Sequence, residues 1–289
     1  MTASNQLPST RCGSTTFTWG SRTYVMGIIN LTPDSFSGDG LGADVGAAVA
    51  QAQQMVADGA DLLDIGGVST RPGRTDVDLE EELRRVMPAI TEIRAAVSVP
   101  LSVDSYRFPV VRAALDAGAD LINDQWGLMT EPSLAKLAAA RRCPIVLMHN
   151  LPIGATGRHE DLYPNGLMPN IVSRLQLGIQ IALDAGVPPE QIFVDPGVGF
   201  AKGREQNLEV IRRLGELKAL RRPILLGTSR KGFIGQTLGG LPAGDRLEGT
   251  AATVAIGIAN GADIVRVHDV RAMVRVARMT DALVRTASV

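Results

Sequence analysis

The sequence predicts an α/β chain folded as a single (β/α)8 TIM barrel with an N-terminal β-hairpin. Three observations carry this. Eight apolar, strand-like runs alternate with eight segments of helical period, the pattern of parallel strands joined by helical crossovers. One tripeptide, Gly-Ala-Asp, recurs at three of the helix-to-strand joints. A polar residue stands at the end of nearly every strand. A length of 289 residues allows one or two domains, and α/β barrels fill such a length as one.

Residues 1–15 are polar and rich in Ser and Thr, so they are expected as a flexible tail, with the barrel domain over 16–289. Phe17-Thr-Trp-Gly-Ser-Arg-Thr-Tyr24 reads as a short hairpin turning at Gly20-Ser21 and lying across the barrel's bottom. Strands are expected at 24–29, 62–65, 100–103, 121–122, 144–148, 191–194, 223–226 and 264–267. Helices are expected around 43–58, 78–96, 108–117, 132–141, 169–185, 205–220, 248–260 and 270–285. In Gly59-Ala60-Asp61, Gly118-Ala119-Asp120 and Gly261-Ala262-Asp263 the glycine suits the left-handed position that ends a helix. No shift in composition marks a second domain.

The charge balance, 29 Lys+Arg against 30 Asp+Glu, leaves no basic footprint for nucleic acid. With 2 Trp, 3 Tyr and 6 Phe the chain is too poor in aromatics for a single-strand stacking platform. No apolar run reaches the length a membrane span needs, and the polar N-terminus lacks the apolar core of a secretory signal. Cys12 and Cys143 fall outside any C-x-x-C pattern, as in a reducing compartment, so a cytoplasmic protein is expected.

In barrels of this kind the site is built from the C-terminal strand ends. Here those ends carry Asn30, Asp64, Asp104, Asn123-Asp124, His149-Asn150, Asp195, Ser229-Arg230-Lys231, Arg266 and His268. Any one of these reads as an ordinary turn former or helix cap. The complete ring reads as a site. Two long loops rich in Gly, Ser, Thr and Pro, 30–40 and 66–73, have the composition of segments that close over a site and exclude water.

Lys231, Arg266 and His268 follow strands seven and eight, where barrels commonly hold phosphate, and the arginine fork suits phosphate oxygens. No G-x-x-x-x-G-K-[ST] or G-x-G-x-x-G loop is present. His149, His159 and His268 lack zinc spacing, whereas Mg2+ needs only one protein oxygen beside substrate phosphates. Asp104, Asp195 and Asn123 suit a heterocycle that shows N–H and amino donors beside a carbonyl. The same carboxylates could form the acid–base pair of a glycosidase, but such clefts usually offer aromatic platforms.

Seven motifs, in order, resemble the dihydropteroate synthases. They are Met26-Gly-Ile-Ile-Asn-Leu-Thr-Pro-Asp-Ser-Phe-Ser37, Asp64-Ile-Gly-Gly-Val-Ser-Thr-Arg-Pro-Gly73, Ser102-Val-Asp-Ser105, Ile122-Asn-Asp124, Asp195-Pro-Gly-Val-Gly-Phe200, Gly227-Thr-Ser-Arg-Lys231 and Arg266-Val-His-Asp-Val270. The resemblance implies a pterin-binding barrel that joins (7,8-dihydropterin-6-yl)methyl diphosphate to 4-aminobenzoate and releases diphosphate. It implies that Asp104, Asn123, Asp195 and Lys231 hold the pterin with Met148 packed against it, and that Phe200 and Val267 line the site. Asn30 would ligate Mg2+ on the diphosphate, with Thr70, Arg266 and His268 on its oxygens. Phe36, Thr70, Arg71 and Pro72 would form the aminobenzoate pocket. Asp104, Lys231, Arg266 and His268 are the expected catalytic set, and a homodimer is implied.

Three positions depart from the family pattern. Val68 stands where Glu is usual, Gly232 where Ser follows the Arg-Lys pair, and Gly38-Asp39 inverts the common order. Two other readings share this barrel. One is a paralogue that binds pterin without joining it to aminobenzoate. The other is a pterin-dependent methyltransferase with a corrinoid partner, which handles no diphosphate and has no use for Arg266-Val-His268.

Overall fold

Short strands alternating in side-chain direction, each followed by a helix, force parallel pairing and a buried sheet. The computed structural model describes residues 7–32, 44–68, 77–152 and 162–285. β1 (Thr10–Cys12) and β2 (Thr15–Phe17) pair antiparallel. Then follow β3 (Tyr24–Asn30), α1 (Val45–Ala57), β4 (Leu62–Gly66), α2 (Leu79–Ala96), β5 (Leu101–Asp104) and α3 (Phe108–Asp116). β6 (Leu121–Asp124), α4 (Ser133–Arg141), β7 (Ile145–Met148), α5 (Leu167–Asp184), β8 (Ile192–Asp195) and α6 (Arg204–Arg212) continue the alternation. β9 (Leu225–Leu226), α7 (Gly232–Thr237), α8 (Leu247–Ala259), β10 (Ile264–Val267) and α9 (Val270–Val284) complete it. The parallel sheet runs β8-β7-β6-β5-β4-β3-β10-β9, and a bridge between Val194 and Ile224 joins its two ends. This is the expected barrel.

Period-two alternation divides the core into two clusters. Met26, Leu62, Leu121, Val146, Phe193, Leu225 and Ile264 point inward and pack with Cys12, Phe17, Trp19 and Tyr24 from the floor. Their neighbours Val25, Leu63, Ile122, Ile145, Val194 and Val265 face outward into the helix layer.

The hairpin covers the bottom as expected, but it turns at Gly13-Ser14 rather than Gly20-Ser21. Residues 10–15, expected in the tail, therefore belong to the floor. The reason is tertiary. Trp19 Nε1 donates to Thr10 Oγ1 at 2.9 Å, and that hydroxyl donates to the Glu190 carbonyl at 2.5 Å. The Trp19 ring also meets Tyr24 and Phe193 edge-on, with centroids 5.5 and 5.2 Å away.

The Gly-Ala-Asp joints share more than a turn. The N–H groups of Val25, Leu101 and Ile224 donate to the carboxylates of Asp61, Asp120 and Asp263 at 2.8, 3.0 and 2.9 Å. The same three residues accept, through their carbonyls, from the N–H of those aspartates at 2.8, 2.7 and 2.8 Å. Gly59, Gly118 and Gly261 hold φ of 102, 105 and 106°, a region open to glycine, which sets each aspartate for this reciprocal clamp.

Two helical expectations change. The segment expected as a helix over 205–220 divides into α6 and a 3-10 turn, Leu214–Leu220. Leu214, Leu217 and Leu220 are buried at a spacing of three, which suits a 3-10 repeat. Asn260 Nδ2 donates to the Ile211 carbonyl at 2.8 Å, where α6 ends. The six-residue α7 is too short to show a period in sequence. Among the described residues no helix is long and apolar enough to cross a membrane.

Candidate active site

One step above the apolar interior, the same alternation turns Asn30, Asp64, Asp104, Asn123, Met148, Asp195 and Arg266 inward. Every strand of the barrel but β9 thus delivers a polar or soft group to its top. Val267 is a correction. It lies between inward Arg266 and inward His268, so its side chain packs in the outer apolar layer and not in the site.

Arg266 is the hub. Its Nε donates to Asp64 Oδ2 at 2.5 Å and its Nη2 to Asp104 Oδ2 at 2.8 Å. Asn123 Nδ2 donates to the same Asp64 oxygen at 3.0 Å, and Gln125 Nε2 donates to Asp104 Oδ1. Asp64 is 0% exposed, and its Oδ1 has no hydrogen-bond partner among the described residues. Burial pushes the Asp104 carboxyl up to about 7, with Asp64 adding to the rise and Arg266 opposing it. Burial pulls the Arg266 guanidinium down, but Asp64 and Asp104 outweigh it and its pKa stands above the ordinary value. Burial likewise raises the Asp195 carboxyl, against Lys231 and the Gly197 N–H that donates to it at 2.7 Å.

Lys231 starts α7, sends its Nζ to the Val198 carbonyl and stands 4.7 Å from the Phe200 ring centroid. His268 is held through Ser229, whose Oγ lies 2.9 Å from His268 Nδ1 and accepts from the His268 N–H at 3.1 Å. His268 Nε2 lies 3.5 Å from Asn30 Nδ2. Arg230 grips Asp269 through two bonds of 2.9 and 2.6 Å, tying the loop after β9 to the loop after β10.

Asn30, Asp104, Phe200, Lys231, Arg266 and His268 line one cleft of about 690 Å³. Asn123, Met148 and Asp195 are not in its lining: Asn123 bonds the buried Asp64, which Arg266 also bonds, and Met148 and Asp195 pair in register on β7 and β8. Val68 and Gly232 also line the cleft, and among the described residues a Cβ on Gly232 would meet nothing within 4 Å. Phe36, Thr70, Arg71 and Pro72 lie outside the described residues. Sequence reasoning assigned no role to Asp64, Gln125 or Ser229. Asp64 was visible as a strand end, but its sharing between Arg266 and Asn123 joins residues distant in the chain.

A barrel whose strand ends gather buried carboxylates around a cation, beside a second cationic corner, defines a small-molecule site with room for a polar, anionic ligand. Comparison with known proteins identifies the class. Residues 26–268 match the pterin binding enzymes. The dihydropteroate synthase of Clostridium beijerinckii is 49% identical over 276 residues, covering 95% of this chain and 99% of that protein. That of Synechocystis is 46% identical, covering 96% of each. Among solved structures, the Clostridium difficile dihydropteroate synthase determined in the presence of pteroic acid has a TM-score of 0.86 at 46% identity, covering 93% of this chain and 100% of that one. The Xanthomonas albilineans synthase with 4-aminobenzoic acid has a TM-score of 0.87 at 39% identity, covering 96% and 98%. The chain belongs to the pterin-binding enzymes, and within them to the dihydropteroate synthases, transferases of folate biosynthesis.

Proposed function

We propose that this cleft carries out the synthase reaction by a dissociative route, with the residues above in distinct roles. Asp104, Asn123, Asp195 and Lys231 hold the dihydropterin, with Met148 and Phe200 against its ring. Arg266 and His268 receive the diphosphate. Phe36, Thr70, Arg71 and Pro72 complete the pocket for 4-aminobenzoate. The observation that carries this is the shared guanidinium. Arg266 sits between a carboxylate at the cleft, Asp104, and a fully buried one, Asp64.

As the C–O bond to diphosphate breaks, the electron pair leaves with the diphosphate and the methylene carbon becomes cation-like. Arg266 and His268 meet the charge developing on the leaving group. Asp104, with its carboxylate at the cleft, stabilises the cation delocalised over the pterin. The aminobenzoate nitrogen then forms the C–N bond from its lone pair and sheds one proton. Excluding competing water favours the arylamine over hydrolysis. No covalent link to the enzyme is needed.

Asn30 fits Mg2+ in a limited way. Its Nδ2 faces His268, which turns its amide oxygen elsewhere as a single hard ligand, and among the described residues no group of three His, Cys, Asp or Glu could cage a metal. Such a site suits an ion held mainly by substrate oxygens and water. When bound, the ion would neutralise diphosphate charge.

The same reading takes the protein as a cytoplasmic homodimer. α8 is apolar on nearly every side although few of its residues are buried, and Ile256 is 52% exposed on it. Met279 and Leu283 on the adjacent α9 are 61% and 68% exposed. A second copy would cover this face.

The test is diphosphate release with and without 4-aminobenzoate. Release coupled to dihydropteroate formation is expected, and tight pterin binding without release would assign the chain to the non-catalytic pterin binders. Arg266→Ala should weaken diphosphate binding roughly tenfold or more. Unchanged affinity would remove Arg266 from the anion corner.

A further inference from the structure

The loop after β8 is built around a buried lysine that the reaction above does not use. Lys202 closes the run Asp195-Pro-Gly-Val-Gly-Phe-Ala-Lys202 and is 5% exposed. Its Nζ donates to the Gly197 carbonyl at 2.9 Å, the Phe200 carbonyl at 3.1 Å and His149 Nδ1 at 3.0 Å. An ammonium has three N–H groups, and all three are engaged. His149 Nε2 lies 3.0 Å from Asn170 Oδ1, so Nε2 carries the proton and Nδ1 offers its lone pair to the lysine. Burial first, and the Lys202 charge second, pull His149 down to about 3, which keeps the imidazole neutral. Burial also pulls Lys202 down to about 7, with Asp195 opposing.

Burying a charge is expensive, and apolar packing would pin a loop at less cost. What the ammonium organises is specific. Between its two carbonyls lies Val198, whose carbonyl receives Lys231 Nζ. The Gly197 N–H, one peptide from the first carbonyl, donates to Asp195 Oδ1. Phe200, whose carbonyl is the second, places its ring against Lys231. His149, the third acceptor, donates its own N–H to the Asp195 carbonyl at 2.9 Å. Gly197 has φ of +67°, and a Cβ there would lie 1.9 Å from the His149 carbonyl oxygen, so the two segments touch backbone to backbone.

We propose that Lys202 is a positioning residue for the pterin: its ammonium, with neutral His149 as acceptor, holds the β8 loop in the one shape that aims Asp195, Phe200 and Lys231 together. This rests on the assignment of Asp195 and Lys231 to the pterin.

The test compares Lys202→Met, Asp195→Asn and His149→Phe with the wild-type enzyme. It measures KM for dihydropterin diphosphate, KM for 4-aminobenzoate, equilibrium binding of 6-hydroxymethyl-7,8-dihydropterin, and thermal unfolding. Lys202→Met should weaken pterin binding and raise the pterin KM about tenfold, leave the aminobenzoate KM within about twofold, and keep the fold. A general loss of packing would move both KM values and the unfolding temperature together, and that result overturns the proposal. His149→Phe keeps the lysine and removes one acceptor, so pterin binding should weaken about threefold. It also serves if Lys202→Met does not fold, and an unchanged pterin affinity then overturns the proposal. If Asp195→Asn weakens pterin binding while Lys202→Met does not, the positioning role fails and the pterin site stands. If Asp195→Asn leaves pterin binding unchanged, the pterin assignment fails and the positioning role falls with it.

Discussion

Asp61 stands just before β4 and Asp64 within it, one turned to the bottom of the barrel and one to the site, and their partners differ in kind. Asp61, at the bottom, accepts the Val25 N–H and a two-pronged grip from Arg22 at 3.0 and 2.6 Å. Asp64, at the top, shares one oxygen between Arg266 and Asn123, and among the described residues the other has no partner. The pattern extends around the barrel. Bottom carboxylates are satisfied by backbone in a repeated clamp. Top carboxylates are crowded around Arg266, with Asp104 and Asp195 pushed above the usual carboxylate range mainly by burial; at the bottom burial also lifts Asp263, to about 6, but the Ile224 N–H opposes it. The bottom is arranged for stability, and the top spends stability on chemistry.

The comparison breaks first at the floor if it is wrong. Trp19→Ala should lower unfolding free energy by about 3–5 kcal/mol, read by urea titration, because it empties a fully buried site. Activity per folded molecule should be unchanged. A loss of kcat at intact stability would mean that the floor takes part in the reaction.

Asp104→Asn should do the reverse. Turnover should fall about a hundredfold, the size expected for losing one preorganised charge. The folded carboxyl holds its proton to a higher pH than the unfolded one. Its contribution to stability is therefore present at low pH and lost as pH rises through about 7. The neutral amide escapes that loss, so at pH 8 the variant should be more stable by roughly 1–3 kcal/mol. Wild-type kcat should drop as pH falls through about 7, while the variant stays flat. A variant less stable than wild type at pH 8 would contradict a strained top.

Asp120→Ala removes one bottom clamp and the Arg94 partner at 3.0 Å. A loss of about 1–3 kcal/mol is expected, with both KM values unchanged, in parallel unfolding and steady-state measurements. Gly232→Ser should be the mildest. Its Cβ meets nothing among the described residues, so stability should stay within about 0.5 kcal/mol. Any effect should appear only in the KM for 4-aminobenzoate, and a shift in unfolding instead would place this position with the packing residues.

Much of this was legible before any coordinates. The alternation of strands and helices comes from local hydrophobic period, and the ring of strand-end polar residues follows from it. Gly118-Ala119-Asp120 and its two copies were visible as joints but not as clamps, since the clamp's other half lies on a neighbouring strand. Val267 faces outward, as alternation with Arg266 and His268 dictates, although the family motif groups all three. The hairpin was drawn around Gly20-Ser21 because local turn propensity is high there. Thr10 bonding to Trp19 and Glu190 decided otherwise.

By itself, the sequence determined the barrel, its order of strands and which residues crown them, because period and turn chemistry act between near neighbours. Only the tertiary structure decided who shares whom: one guanidinium between Asp64 and Asp104, one buried ammonium among Gly197, Phe200 and His149. Those choices depend on burial and on charges brought together from distant strands. Low dielectric makes such long-range pairings strong, and nothing local in the chain records them.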